Sequence, residues 1–178
     1  GPLLLHLKRL FQQEPLGQPG LYRQLREDYF ARIEAIEFTV EHDDGRKPHD
    51  LPRAEIVLIG VSRTGKTPLS MYLSTRGWKV ANVPLVPDMS PPDELFTIDA
   101  RRVVGLTVHP NQLITYRRRR QVNLGALSQQ SAYTHPQDVQ DEIAFAREIF
   151  RRGGFAVIDV TDKPIEESAD EVVAHVTR

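Results

Sequence analysis

The sequence contains no cysteine among its 178 residues. Disulfides, thiolate metal sites and a cysteine nucleophile are therefore excluded, in keeping with a reducing, cytoplasmic setting. There is no surplus of either charge, with 23 Lys and Arg against 24 Asp and Glu. No global field then draws the chain to nucleic acid or to a membrane surface, and any basic function has to be local. No apolar run approaches the roughly 20 residues that a membrane-spanning helix needs. The N-terminal GPLLLHLKRLF is too short for one and is interrupted by charge. What the chain does have is length enough to bury a substantial core, as one domain or one domain with an appendage.

Two zones follow from the spacing of apolar residues. In the first, Leu3 to Phe11 and Leu21 to about Val40 carry helical periodicity (Leu21, Leu25, Tyr29, Ile33, Ile36), separated by the Pro/Gly punctuation EPLGQPG. Residues 1–50 thus read as a helical segment, the remainder of an N-terminal domain. DDGRKPHDLP, Asp43 to Pro52, is turn chemistry and predicts a linker or exposed loop. In the second zone, residues 51–178, strand and helix patterns alternate. Strands are expected at Glu55–Ile59, Lys79–Val83, Val103–Val108 and Phe155–Val160. Helices are expected up to about Arg76, then near Asn111–Leu124, Pro136–Arg152 and Pro164–Val176. Such alternation implies an α/β fold: a P-loop-type parallel sheet with helices on both faces, preceded by the N-terminal helical segment.

The most informative stretch is GVSRTGKTPLS, whose first eight residues fit G-x-x-x-x-G-K-[ST]. A strand delivers the chain to this loop and a helix leaves it, so unpaired N–H groups and partial positive charge face an anion. Gly60 permits the turn, Gly65 lets the backbone approach phosphates, Lys66 reaches the outer phosphate and the Thr67 hydroxyl can ligate Mg²⁺. Pro68 is compatible with a helix's first turn, where its missing N–H has no intrahelical partner. Arg63 is a second cation suited to bidentate phosphate contact, or a solvated loop arginine.

Three further features are candidates. FAVIDV has the form of a Walker B strand ending in Asp159, which could hold Mg²⁺ directly or through water, or could merely end the strand. Asp162 is expected to cap the helix whose first turn holds Pro164. His42-Asp43-Asp44-Gly45 is a turn by pattern, yet Asp43 or Asp44 could take a proton from a hydroxyl, with His42 orienting it or meeting a phosphate. Arg117 to Arg120 fan out at about 100° per residue on a helix, so one or two could face a nucleotide and the rest solvent.

RIEAIEFTVEHDDG, EIVLIGVSRTGKTPLSMYLSTRGWKVANVPLVPDMSPPDELF and VIDVTDKPIEESADEV together resemble the bifunctional kinase-pyrophosphorylase family, the regulatory proteins of pyruvate, phosphate dikinase and of phosphoenolpyruvate synthase. The resemblance runs through most of the chain and is weaker between about Gly125 and Gln140. It implies a serine/threonine protein kinase that uses ADP as phosphoryl donor to a threonine of the target enzyme. It also implies removal of that phosphate with inorganic phosphate, releasing pyrophosphate. On this resemblance the ADP site comprises Gly60, Val61, Ser62, Arg63, Thr64, Gly65, Lys66 and Thr67. Lys66, Arg63, Asp43 and Asp44 are the catalytic candidates, and Thr67 and Asp159 the Mg²⁺ candidates. Many relatives have serine where this chain has Gly65. Family members are longer at the N-terminus, so the expectation is a chain lacking that region, with Gly1-Pro2 native. The target enzyme is the expected partner, and the resemblance leaves room for a homodimer. Taken without it, the same loop, sheet and arginine-bearing helix would also serve a small-molecule P-loop kinase using ATP, or a nucleotide-sensing module.

Overall fold

The computed structural model describes residues 8–12, 21–123 and 132–178. Gly1-Pro2, residues 3–7 of the expected first helix, the EPLGQPG punctuation and Leu124 lie outside them. The chain divides into two compact units, Gly1–Phe30 and Ala31–Arg178, and the dividing point falls inside helix α1 (Leu21–Glu41). In the first unit, residues 8–11 and the opening turns of α1 are helical.

In the second unit, the run that follows Glu55 has no polar face, and it becomes a strand buried along its whole length, β1 (Ile56–Gly60). Helix α2 (Lys66–Thr75), β2 (Val80–Pro84), β3 (Val103–Thr107), α3 (Pro110–Asn123), α4 (Pro136–Gly153), β4 (Ala156–Asp159) and α5 (Ile165–Val176) complete the alternation. The sheet is parallel throughout, in the order β2-β1-β3-β4. Strand side chains alternate between two cores. Ile56 and Leu58 pack with Leu69 and Leu73 of α2 and Ala169 and Val172 of α5. Val57 and Ile59 pack with Leu113 of α3, Val139 to Phe150 of α4, and Phe38 of α1. The helices therefore cover both faces, and the expected α/β, P-loop-type architecture is the one observed.

The strand order decides where a ligand goes. The chain runs from β1 outward to β2, then returns to the other side of β1 as β3. Such a reversal opens a crevice at the carboxyl ends of β1 and β3, where open α/β sheets bind ligands. The phosphate loop leaves β1 at that point.

Two local expectations are corrected. Asp43–Pro52 is not a free linker: it forms two 3-10 turns, Asp43–Gly45 and Pro48–Arg53, and drops Leu51 and then Ala54 into the core. One apolar residue in a polar run carries no periodicity, so the sequence pattern could not show this packing. Asp162 is not a helix cap. The residue preceding α5 is Pro164, whereas Asp162 is left-handed, with φ of 53°, and accepts a hydrogen bond from Gln112 Nε2 at 2.6 Å.

Packing at β3 gives a prediction. A Cβ built on Gly105 would lie 2.7–2.8 Å from three ring atoms of Phe150, inside the α3/α4 core. Gly105→Ala is expected to lower stability by about 1–3 kcal/mol through overpacking, read as a lower urea midpoint with unchanged m-value.

Candidate active site

The loop between β1 and α2 is tied down from the inside. Lys66 is buried and donates to the carbonyls of Gly60 and Val61, each at 2.9 Å. Thr64 Oγ1 donates to Val61 O at 3.0 Å, Leu85 N to Gly60 O at 3.0 Å, and Arg117 Nη2 to Ser62 O at 3.3 Å. With these carbonyls held inward, and with left-handed residues at Arg63 (φ 74°) and Gly65 (φ 82°), the loop has the form of a nest that turns amides toward an anion. Gly60 is required for space, because a Cβ there would lie 2.7 Å from the carbonyl oxygen of Leu106 on β3. Gly65 is different: among the described residues nothing lies within 4 Å of its Cβ position, and it is its φ that favours glycine. Pro68 occupies the third position of α2, and the first intrahelical bond, Leu69 N to Gly65 O at 3.1 Å, forms beyond it.

Above the loop is a pocket of about 640 Å³, within the range of small-molecule sites. Among the described residues its lining carries five cationic side chains, Arg63, Lys66, Arg119, Arg120 and Lys163, against one carboxylate, Asp44. Tyr116, Tyr133, Val108, Val160 and Ile165 supply aromatic and apolar surface. Such a balance favours a ligand that is strongly anionic at one end and partly apolar at the other. Burial pushes the Lys66 ammonium down to about 8, helped by Arg117 and Arg63 and opposed by Asp44 and Asp43.

The Asp43-Asp44 turn, about 20 residues earlier, is brought to this loop. Thr67 Oγ1 donates to Asp43 Oδ1 at 3.1 Å, and the Asn82 amide donates to the same oxygen. Asn82 Oδ1 in turn accepts from the Asp44 backbone N–H at 3.0 Å. His42 faces elsewhere: its ring stacks on Phe38 with centroids 3.9 Å apart, Nδ1 lies 2.7 Å from Phe38 O, and Nε2 lies 3.4 Å from Asp50. Asp159 ends β4, two strands from β1 and so about 10 Å away across the sheet. Its carboxylate accepts from Thr161 N at 2.8 Å and Thr161 Oγ1 at 2.5 Å, which holds it below the usual carboxylate range. The structure thus joins Thr67 to Asp43 directly and leaves Asp159 turned to its own loop.

The arginine run divides by helix geometry. Arg119 and Arg120 line the pocket, whereas Arg117 is fully buried beneath it. Arg117 makes paired bonds to Glu142 at 2.9 and 2.6 Å, bonds Tyr133 O at 3.0 Å, and lies 4.4 Å from the centre of the Tyr133 ring. The Tyr133 hydroxyl meets Ser62 Oγ at 3.1 Å. Arg117 is therefore a brace for the phosphate loop rather than a ligand contact. Glu142→Ala would strand this guanidinium without its counter-charge, and a loss of about 3 kcal/mol is expected, visible as a lower urea midpoint with a larger effect than Glu142→Gln.

Sequence reading did not single out Asn82, Tyr116, Tyr133, Glu142 or Lys163. Only Asn82 left a signal, as a polar, strand-disfavoured residue inside the run KVANV.

Mg²⁺ suits these residues. The Thr67 hydroxyl and Asp43 carboxylate form a hard oxygen pair beside the loop, of the kind that holds Mg²⁺ together with phosphate oxygens and water. Among the described residues no cluster of three His, Cys, Asp or Glu could hold a metal, and no helix is long and apolar enough to cross a membrane.

The sequence pattern of the kinase/pyrophosphorylase family matches residues 1–173. Three similar proteins carry the name pyruvate, phosphate dikinase regulatory protein. That of Chloroflexus aurantiacus is 53% identical over 178 residues, 100% of this chain and 63% of the relative. That of Carboxydothermus hydrogenoformans is 50% identical over 97% of this chain and 62% of the relative. That of Geobacillus kaustophilus is 47% identical over 100% of this chain and 66% of the relative. The chain thus spans a little under two thirds of the length of these relatives.

Proposed function

This chain belongs to the kinase/pyrophosphorylase family, and on that footing we propose that its pocket transfers phosphate reversibly between ADP and a threonine of a target enzyme. The target is pyruvate, phosphate dikinase, the enzyme in the relatives' names, or phosphoenolpyruvate synthase. The observation that carries the reading is the closure of the Asp43-Asp44 turn onto Thr67 of the phosphate loop. That contact supports the reading of Asp43 as the carboxylate that would meet a hydroxyl nucleophile beside the loop.

In the forward direction the amides of Gly60 to Thr67, with Lys66 and Arg63, bind the ADP phosphates. The threonine oxygen attacks the β-phosphorus, the bond to the bridging oxygen breaks, and AMP leaves with that oxygen. Asp43 accepts the threonine proton, with Asp44 beside it at the pocket wall. Lys66 and Arg63 offset the charge that builds on the transferring group. Thr67 would hold Mg²⁺ through its hydroxyl, which is bonded to Asp43; the ion would supply charge neutralisation on the phosphates. In reverse, an inorganic phosphate oxygen attacks the phosphothreonine, the bond to the threonine oxygen breaks, and pyrophosphate departs. The site must then hold two phosphate groups, and Arg119, Arg120 and Lys163, which line the pocket, would receive the second.

The reading is tested by incubating the chain with Mg²⁺, each target enzyme and either ADP or ATP. Phosphothreonine formed with ADP, together with AMP, is the expected result. Transfer from ATP alone to small acceptors would replace this reading with that of a small-molecule kinase.

A further inference from the structure

We propose that Asn82 is a positioning residue that fixes the Asp43 carboxylate against the phosphate loop. This rests on the reading of Asp43 as proton acceptor. Asn82 lies in β2 opposite Leu58 of β1, between the apolar residues Ala81 and Val83, and is 1% exposed. A buried amide is less favourable than an apolar side chain unless its polar ends are satisfied. Here both ends are used on one turn. Nδ2 donates to Asp43 Oδ1, and Oδ1 accepts from Asp44 N at 3.0 Å, while the Asn82 backbone N–H donates to His42 O at 3.2 Å. Three consecutive residues are thereby held by one.

The orientation of the amide is fixed by chemistry. A backbone N–H can only donate and a carboxylate can only accept, so the carbonyl end must face Asp44 and the NH₂ end Asp43. The clamp also holds Asp44 in the left-handed region, with φ of 60°, which a non-glycine residue adopts at a cost. Asp43 Oδ1 is then shared between Asn82 and Thr67, leaving Oδ2 as the oxygen for an incoming hydroxyl. Without the amide the carboxylate is free to rotate away from Thr67. Aspartate at this position keeps the shape but sets two carboxylates against each other.

The test compares Asn82→Ala, Asn82→Asp, Asp43→Ala and the double variant Asn82→Ala/Asp43→Ala in phosphothreonine formation, with ADP binding by calorimetry and thermal melting alongside. Asn82→Ala is expected to lower kcat about 10- to 100-fold while leaving the Kd for ADP unchanged, and Asn82→Asp to lower it further. In the Asp43→Ala background, Asn82→Ala should add no further loss, because it acts through the missing carboxylate. Multiplicative losses in the double variant, or a loss confined to KM or melting temperature, would overturn the positioning role. If the alanine variant does not fold, the isosteric Asn82→Asp carries the comparison with Asp43→Ala. A normal kcat in Asp43→Ala would instead overturn the reading on which the proposal rests, whereas a fall there with none at Asn82 overturns the proposal alone.

Discussion

Lys66→Met is expected to give a protein that is harder to unfold at neutral pH and that does not transfer phosphate. Lys66 titrates at about 8 in the folded chain against an ordinary 10.5, chiefly because it is buried. Between those values the unfolded chain binds the additional proton, so stability rises with pH across that window. Below pH 8 the penalty is present in full. Removing it is worth on the order of 1–3 kcal/mol at pH 7. The two carbonyls that lose the ammonium are not stranded, since Gly60 O keeps Leu85 N and Val61 O keeps Thr64 Oγ1. Methionine also conserves the length of the side chain. Urea unfolding at pH 7 and pH 10 tests this: the variant should lead at pH 7, and its lead should shrink as the pH rises. Activity moves the other way, with kcat/KM expected to fall about 10²- to 10³-fold or more on loss of a phosphate-facing charge. In the parent protein, ADP affinity should weaken above pH 8 as Lys66 loses its proton.

Asp43→Ala is expected to lower turnover strongly with little effect on nucleotide affinity. A positioned general base contributes about 10²- to 10⁴-fold, and the carboxylate is poised between Thr67 and Asn82 rather than along the loop amides. Single-turnover phosphothreonine formation should fall by that factor, while calorimetry with ADP in the absence of Mg²⁺ should give a Kd close to that of the parent. A Kd that rises in step with the loss of rate would make Asp43 a binding residue. Asp44→Ala should cost less, since Asp44 lines the pocket wall without bonding Thr67.

The βα alternation, the buried β1 run and the phosphate loop were legible in the sequence because each is a local pattern with a physical reason. A five-residue apolar run must be covered on both faces, and glycines at loop positions must serve close approach or left-handed backbone. Helix periodicity likewise placed α4, whose Val139, Ile143, Ala146 and Phe150 form one buried stripe. What could not be read is long-range. Nothing local in DDGRKPHDLP states that Leu51 anchors it in the core and carries Asp43 to Thr67. The strand order, which separates Asp159 from the loop, depends on pairing between distant segments. Arg117 was placed in the right run, but its role as a buried brace depends on Glu142, 25 residues on. Asn82 was visible only as a misfit in a strand.

The most direct test of a single pocket working in both directions is phosphorolysis. Target enzyme carrying ³²P on its threonine is incubated with the chain, Mg²⁺ and unlabelled inorganic phosphate, and the released label is separated. The account predicts label in pyrophosphate, dependent on phosphate and lost in Lys66→Met. Label released as orthophosphate, at a rate indifferent to added phosphate or to Lys66, would contradict it.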